Sequence, residues 1–266
     1  MKYYCDRQSN TGFYNSSVKD VERCFSKLNQ TALAGFKQLN KKQPVEEKSF
    51  TFPAGRLDVW VIRGTALEKA ATARIRFRTQ NPVTGKDTRF DVLQIKTYPA
   101  NPKIPILLFN LEYRAAREGG FYGFLDVAPV AAGTADLAFM QGELIRVVSK
   151  YAVNYASLRK RVAGIYKMAH GEKPLNAGIG MRLELGAQQA DCVQDAASAW
   201  LNAYLKIVAE KAEVPYAQKH KDLMYAVRSR IKEFYLRKDL SFKVIQELGV
   251  PADVMGRVHF APVMKC

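Results

Sequence analysis

Cysteine is scarce and scattered in this chain: Cys5, Cys24, Cys192 and Cys266 among 266 residues, with no CxxC spacing. The three histidines, His170, His220 and His259, are equally dispersed. A structural zinc site takes four ligands, usually in close pairs, so a metal-dependent fold is not expected. No apolar run reaches the roughly 20 residues of a membrane-spanning helix, and the opening stretch MKYYCDRQSN lacks the apolar core of a secretory leader. The expectation is a protein of the cytoplasm, or of a plastid-like soluble compartment, without disulfides and without a membrane partner. The GxGxxG, Walker, GxSxG and HExxH signatures are missing too, and the enzyme classes that depend on them lose support.

Acidic residues are outnumbered. Against 41 Lys and Arg stand 25 Asp and Glu, for a formal charge of +16. A balance of that size points to an acidic partner or an anionic ligand. No helix-turn-helix, finger or RNP-like motif accompanies the charge, which argues against nucleic acid.

What the chain does hold is a hydrophobic fraction of 48%, enough for a full core. Its most informative stretch is RFDVLQIKTYPANPKIPILLFNLEYRAAREGGFYGFLDVAPV, residues 89–129. Three extended segments, 89–98, 104–113 and 121–128, are separated by Pro99, Pro102 and Pro105 and by Glu118-Gly119-Gly120. The middle segment is apolar on both faces, as in a strand covered from both sides. Gln94, Asn110, Glu112 and Asp126 sit inside this apolar run. A buried polar group that finds no partner costs about 1–3 kcal/mol, so each is edge-facing, paired structurally, or lining a pocket.

Upstream, Ser17 through Asp20 reads as a helix start, and Val18, Val21, Phe25, Leu28, Ala32, Phe36 and Leu39 as one buried helical face. Period-two patterns follow at 50–52, 56–62 and 72–79. In the last of these, Arg74, Arg76 and Arg78 alternate with apolar residues, giving a solvated or an anion-facing sheet surface. Downstream, helices are expected over 135–163, 187–211, 215–238 and 241–248, with an irregular excursion at 169–186. One helix, then strands, then helices implies an α+β fold: a three-layer α/β/α sandwich around a mainly antiparallel sheet, spanning residues 1–266 as one domain.

The segments VLQIKTYP (92–99), IPILLFNLEY (104–113) and GGFYGFLDVAP (119–129), with the tail 217–249, resemble the ferredoxin-dependent bilin reductases, relatives of red chlorophyll catabolite reductase. The resemblance implies an open-chain, biliverdin-like tetrapyrrole held between sheet and C-terminal helices. It implies no bound cofactor, electrons from reduced ferredoxin, and an acidic ferredoxin docked on the basic surface. On the same resemblance, the family's catalytic aspartate falls on Asn110 and its histidine near Gln94. Glu112, Asp126 and Asp222 then become the candidate proton donors, and Gln94, Asn110, Arg74, Arg76 and Arg228 the candidate ligand-binding residues. The alternative is a non-catalytic protein of the same fold that holds a tetrapyrrole or another anionic ligand.

Overall fold

A seven-stranded antiparallel sheet runs in strict chain order from one edge to the other, and every strand pairs with its sequence neighbours. The computed structural model describes residues 11–80, 85, 87–115, 119–167, 172–238 and 246–262. Side chains are described from residue 19 onward, except those of Ala252 and Met255. The strands are β1 (Val45–Phe52), β2 (Gly55–Ile62), β3 (Leu67–Gln80), β4 (Asp87–Pro99), β5 (Ile106–Ala115), β6 (Gly120–Ala128) and β7 (Met181–Gly186). The helices are α1 (Thr11–Leu39), α2 (Thr134–Val148), α3 (Tyr155–Val162), α4 (Ala190–Lys211), α5 (Gln218–Arg237) and α6 (Ala252–His259). Helices flank the sheet on both faces, so the architecture is the α+β sandwich that the element order implies.

Side chains alternate across each strand, and the two faces collect different partners. On one face Leu93, Ile95, Leu107, Phe109, Leu111 and Phe121 meet Phe25, Leu28 and Phe36 of α1, Leu144 of α2, and Trp200 and Tyr204 of α4. On the other face the apolar cover is split in two. Val254 and Val258 of α6 lie over Leu57, Val59, Ile75 and Val92, while Ile231 and Tyr235 of α5 lie over Tyr98, Ile106, Leu108 and Ala128.

Several elements depart from the sequence expectations. α1 begins at Thr11, so Ser17 lies inside the helix and is not its cap; once a buried face has nucleated a helix, each added residue contributes a bond. The expected single helix over 135–163 breaks at Ala152, whose φ is 51°, and Asn154 caps α3 by accepting from the Ser157 amide at 3.1 Å. The excursion at 169–186 contains β7, whose buried Met181, Leu183 and Leu185 alternate with more exposed Arg182, Glu184 and Gly186. Most of the helix expected at 241–248 lies outside the described residues.

Asp126, near the end of β6, anchors the chain that leads into β7. Its carboxylate is fully buried. It accepts from Asn176 Nδ2 at 2.6 Å and from the Gly178, Ile179 and Gly180 amides at 2.9, 3.4 and 3.3 Å. Burial pushes the carboxyl above its usual range, and the hydrogen bonds from Asn176 and the backbone pull the other way. The loop closes tightly here: a Cβ on Gly180 would stand 1.7 Å from the Leu125 carbonyl oxygen.

Lys69 of β3 anchors the far end of α6. The side chain is buried, and its Nζ donates to the Phe260 carbonyl and, at 3.4 Å, to that of Gly256. Carbonyls at a helix C-terminus favour a cation. Burial, with Arg63 and Arg257 nearby, outweighs them and lowers the ammonium pKa to about 7.

Two outcomes are expected. Asp126→Ala leaves several buried donors unpaired and should lower the unfolding free energy by at least about 3 kcal/mol, read from denaturant titration. For Lys69, the unfolded chain keeps the proton that the folded chain gives up above pH of about 7. Stability should therefore rise with pH from 7 toward 10, and Lys69→Met should flatten that rise.

Candidate ligand cleft

The gap between the two apolar clusters on the α5–α6 face is polar, and a cleft of about 550 Å³ opens there. Register builds its floor. Gln94 stands opposite Asn110, and Glu112 opposite Val92; Asn110 stands opposite Phe124 and Glu112 opposite Tyr122. Phe124 and Tyr122 in turn face Arg182 and Glu184 of β7. Gly123 lies between the two aromatic residues with φ of 111°, and a Cβ there would meet the Asn110 carbonyl oxygen at 2.2 Å. A side chain at 123 would push β6 off β5 at the cleft floor.

At the centre of the floor, Gln94 Oε1 and Asn110 Oδ1 are buried with no hydrogen-bond partner among the described residues. Two adjacent acceptors left open in a sheet interior are costly, at about 1–3 kcal/mol each. Natural structures keep such groups where a ligand or ordered water meets them.

The rim is charged. Arg114 Nε binds Glu112 at 2.5 Å and its guanidinium lies 4.2 Å from the Tyr122 ring centroid. Glu184 accepts from Arg182 at 3.1 Å and also from Arg161. Among the lining residues Lys96, Arg114, Arg182 and Lys238 outnumber Glu112 and Glu184, so the cleft carries a net positive field.

The roof is aromatic. Tyr166 packs against Phe124 at 5.7 Å and Phe234 at 4.5 Å between ring centroids. Lys96, on the same strand face as Gln94, reaches up from the floor. Its Nζ donates to Tyr235 Oη at 2.5 Å and Tyr166 Oη at 3.4 Å, and those two hydroxyls are 2.6 Å apart. His259 packs on Tyr235 at 4.3 Å. Burial, then Lys96 and Lys69, hold its pKa well below the usual imidazole range, so the ring is neutral at neutral pH.

Of the residues singled out in the sequence, Gln94, Asn110 and Glu112 come together in the cleft. Asp126 is sealed beneath its loop by four donors and does not line the cleft. Asp222 is exposed near the start of α5 and accepts from Gln218 at 2.8 Å. Arg228 is buried on α5, donating to Glu68 at 2.9 Å and to the Pro99 carbonyl at 2.6 Å, and so fastens α5 to the sheet. Arg74 and Arg76 project from the opposite, α1-side face. Arg74 grips Asp91 at 3.1 and 2.8 Å and Ser26 at 2.7 Å; Arg76 binds Asp58 at 2.7 Å. Parity decides this: Arg74 pairs in register with Leu93, one residue out of phase with Gln94.

Lys96 was legible in principle, two residues beyond Gln94 on a period-two strand. Tyr166, Tyr235 and His259 arrive from chain segments far away and carry no local signal. Among the described residues no three His, Cys, Asp or Glu side chains converge as a metal site. The buried thiols of Cys24 and Cys192 are pushed up to about 12 and about 11, so they are not reactive thiolates. No described helix is long and apolar enough to cross a membrane.

Comparison with known proteins redirects the reading of this cleft. The family described as Coproporphyrinogen III oxidase matches residues 21–246. Proteins of Francisella tularensis subsp. novicida (strain U112) and Francisella philomiragia subsp. philomiragia, both named oxygen-dependent coproporphyrinogen-III oxidase, are 26% identical over 186 residues. A protein of the same name from Francisella tularensis subsp. mediasiatica is 25% identical over 186 residues. These alignments cover 66% of this chain and 59% of each relative, so the chain spans about three-fifths of their length.

The likeness to bilin reductases is thereby overturned, and so is the non-catalytic tetrapyrrole holder drawn from it. The relatives are named for oxygen and for a porphyrinogen, which is a cyclic tetrapyrrole. Reduced ferredoxin as electron source, an acidic ferredoxin as partner and an open-chain tetrapyrrole as ligand fall with the resemblance. The motifs behind it were short apolar strands and Gly-Gly or Pro turns, a pattern that any antiparallel meander covered on both faces produces. With most of its length inside the match, the chain belongs to the coproporphyrinogen III oxidase family.

Proposed function

We propose that the cleft takes a coproporphyrinogen-type cyclic tetrapyrrole and that the chain supports its oxygen-dependent oxidation. The observation that carries this reading is the pair of open acceptors, Gln94 Oε1 and Asn110 Oδ1, at the centre of the floor. A porphyrinogen presents pyrrole N–H donors at its centre and carboxylates on its periphery. The neutral carboxamides of Gln94 and Asn110 on the floor suit the first once their oxygens, buried in the unliganded protein, turn toward the ring, and they stay uncharged at every working pH. The basic excess at Lys96, Arg114, Arg182 and Lys238 suits the second.

Each group then has a limited task. Gln94 and Asn110 orient the ring and cannot exchange a proton with it. Tyr166 and Phe234 supply apolar surface that keeps water from the bound ring. Glu112, tied to Arg114, keeps that guanidinium at the rim. Among the groups around the cleft able to exchange protons, Tyr166, Tyr235, Lys96 and His259 are linked by contact on the roof side.

The direct test is consumption of coproporphyrinogen by the purified protein in air and under argon. Oxygen-dependent loss above the buffer rate is expected, and equal rates in both atmospheres would remove the proposal. Asn110→Leu and Gln94→Leu should each weaken binding of the ring by about tenfold, read by quenching of protein fluorescence. The same substitutions remove an open buried acceptor, so the unliganded protein should become more stable, by about 1 kcal/mol. Loss of affinity together with gain of stability is the signature of a ligand-facing residue. Loss of both would make the pair structural.

A further inference from the structure

Helix α6 lies beyond residue 246, where the match to the family ends, yet it reaches the cleft. Three independent contacts hold it in place. Val250, Val254 and Val258 pack on β2, β3 and β4. Lys69 Nζ binds the Gly256 and Phe260 carbonyls at its C-terminal end. Tyr98, on the same strand face as Gln94 and Lys96, donates its hydroxyl to the His259 carbonyl. The last two anchors, both from strand residues, fix the backbone at His259 and on either side of it.

The His259 side chain is where this helix enters the cleft. It is only 3% exposed, lines the cavity, and its ring stands 4.3 Å from that of Tyr235 at an interplanar angle of 40°. Tyr235 in turn receives the Lys96 ammonium at 2.5 Å and shares a 2.6 Å hydrogen bond with Tyr166. A covering helix that only screened the sheet would need nothing but its valines. A buried imidazole aligned on a phenol that holds a buried cation is a costlier choice.

We infer that α6 is a working wall of the cleft and that His259 is a positioning residue, which sets the Tyr235 ring and through it the Lys96 ammonium against the bound tetrapyrrole. This deepens the proposed function and rests on it for the identity of the ligand. The contact on which this rests is ring on ring, 4.3 Å between centroids.

The contrast that tests it is ring lost against ring kept, in the full chain. His259→Ala should weaken binding of coproporphyrin, a stable oxidised stand-in for the porphyrinogen, by about tenfold. His259→Phe should recover most of that loss. A second readout needs no tetrapyrrole: acylation of Lys96 by an amine-reactive reagent, mapped by mass spectrometry, should rise severalfold in His259→Ala and return toward the parent level in His259→Phe. If His259→Ala does not fold, His259→Gln replaces it in the same contrast. Unchanged Lys96 labelling in the ring-less variant overturns the positioning role, whatever the ligand. A parent protein that binds no coproporphyrin, but whose Lys96 labelling still responds to His259, removes the proposed ligand and leaves the positioning role standing.

Discussion

A sheet covered on both faces has no indifferent place for a polar side chain, and the rest of this structure follows from that constraint. Each polar residue that points inward either meets a partner built for it or costs about 1–3 kcal/mol, a sizeable fraction of a protein's whole stability. Asp126 shows the first outcome, with four donors converging on it from the loop that leads into β7. Gln94 and Asn110 show the second, with two buried oxygens left open side by side. Among the buried polar atoms left without a partner, these two are adjacent in register and line a cleft, the setting in which function overrides packing.

Charge follows the same logic. On the α1 side of the sheet Arg74 is neutralised by Asp91 and Arg76 by Asp58, at 8% and 36% side-chain exposure respectively. The buried pair compensates its own desolvation by bidentate geometry; it is a condition of folding more than a gain in stability. On the cleft side the pairs Glu112–Arg114 and Arg182–Glu184 lie nearer solvent, and Lys96 and Lys238 add positive charge beyond them. The excess of +16 over the whole chain thus has a local expression at the cleft. The arginine stripe of β3, whose pattern allows a solvated or an anion-facing surface, has Arg74 and Arg76 committed to ion pairs within the protein.

The far wall of the cleft depends on anchors from the middle of the sheet. Lys69 and Tyr98, neighbours in register on β3 and β4, hold the end of α6, while Arg228 ties α5 to Pro99 and Glu68. Roof and floor are therefore fastened to the same two strands. Tyr235 and His259 are held in relation to Lys96 by fixed secondary structure and not by loops, which is the condition for a site of defined geometry.

The sequence by itself determined the fold class, the central strands and the polar residues of the floor. Period-two alternation and turn residues are local, and a strand buried on both faces makes its few polar side chains conspicuous. Period two also placed Asn110 and Glu112 on one face of β5. It could not say that Arg74 falls out of phase with Gln94, because register between strands depends on pairing and not on the pattern within either one. Nor could it separate one antiparallel meander from another, and the family likeness read from short apolar strands failed for that reason. β7 stayed hidden as a six-residue strand in a glycine-rich stretch. The roof of the cleft was decided by tertiary structure alone. Tyr166, Tyr235 and His259 lie 70, 139 and 163 positions from Lys96, and only the packing of α5, α6 and the turn after α3 over one gap in the apolar cover brings them to it.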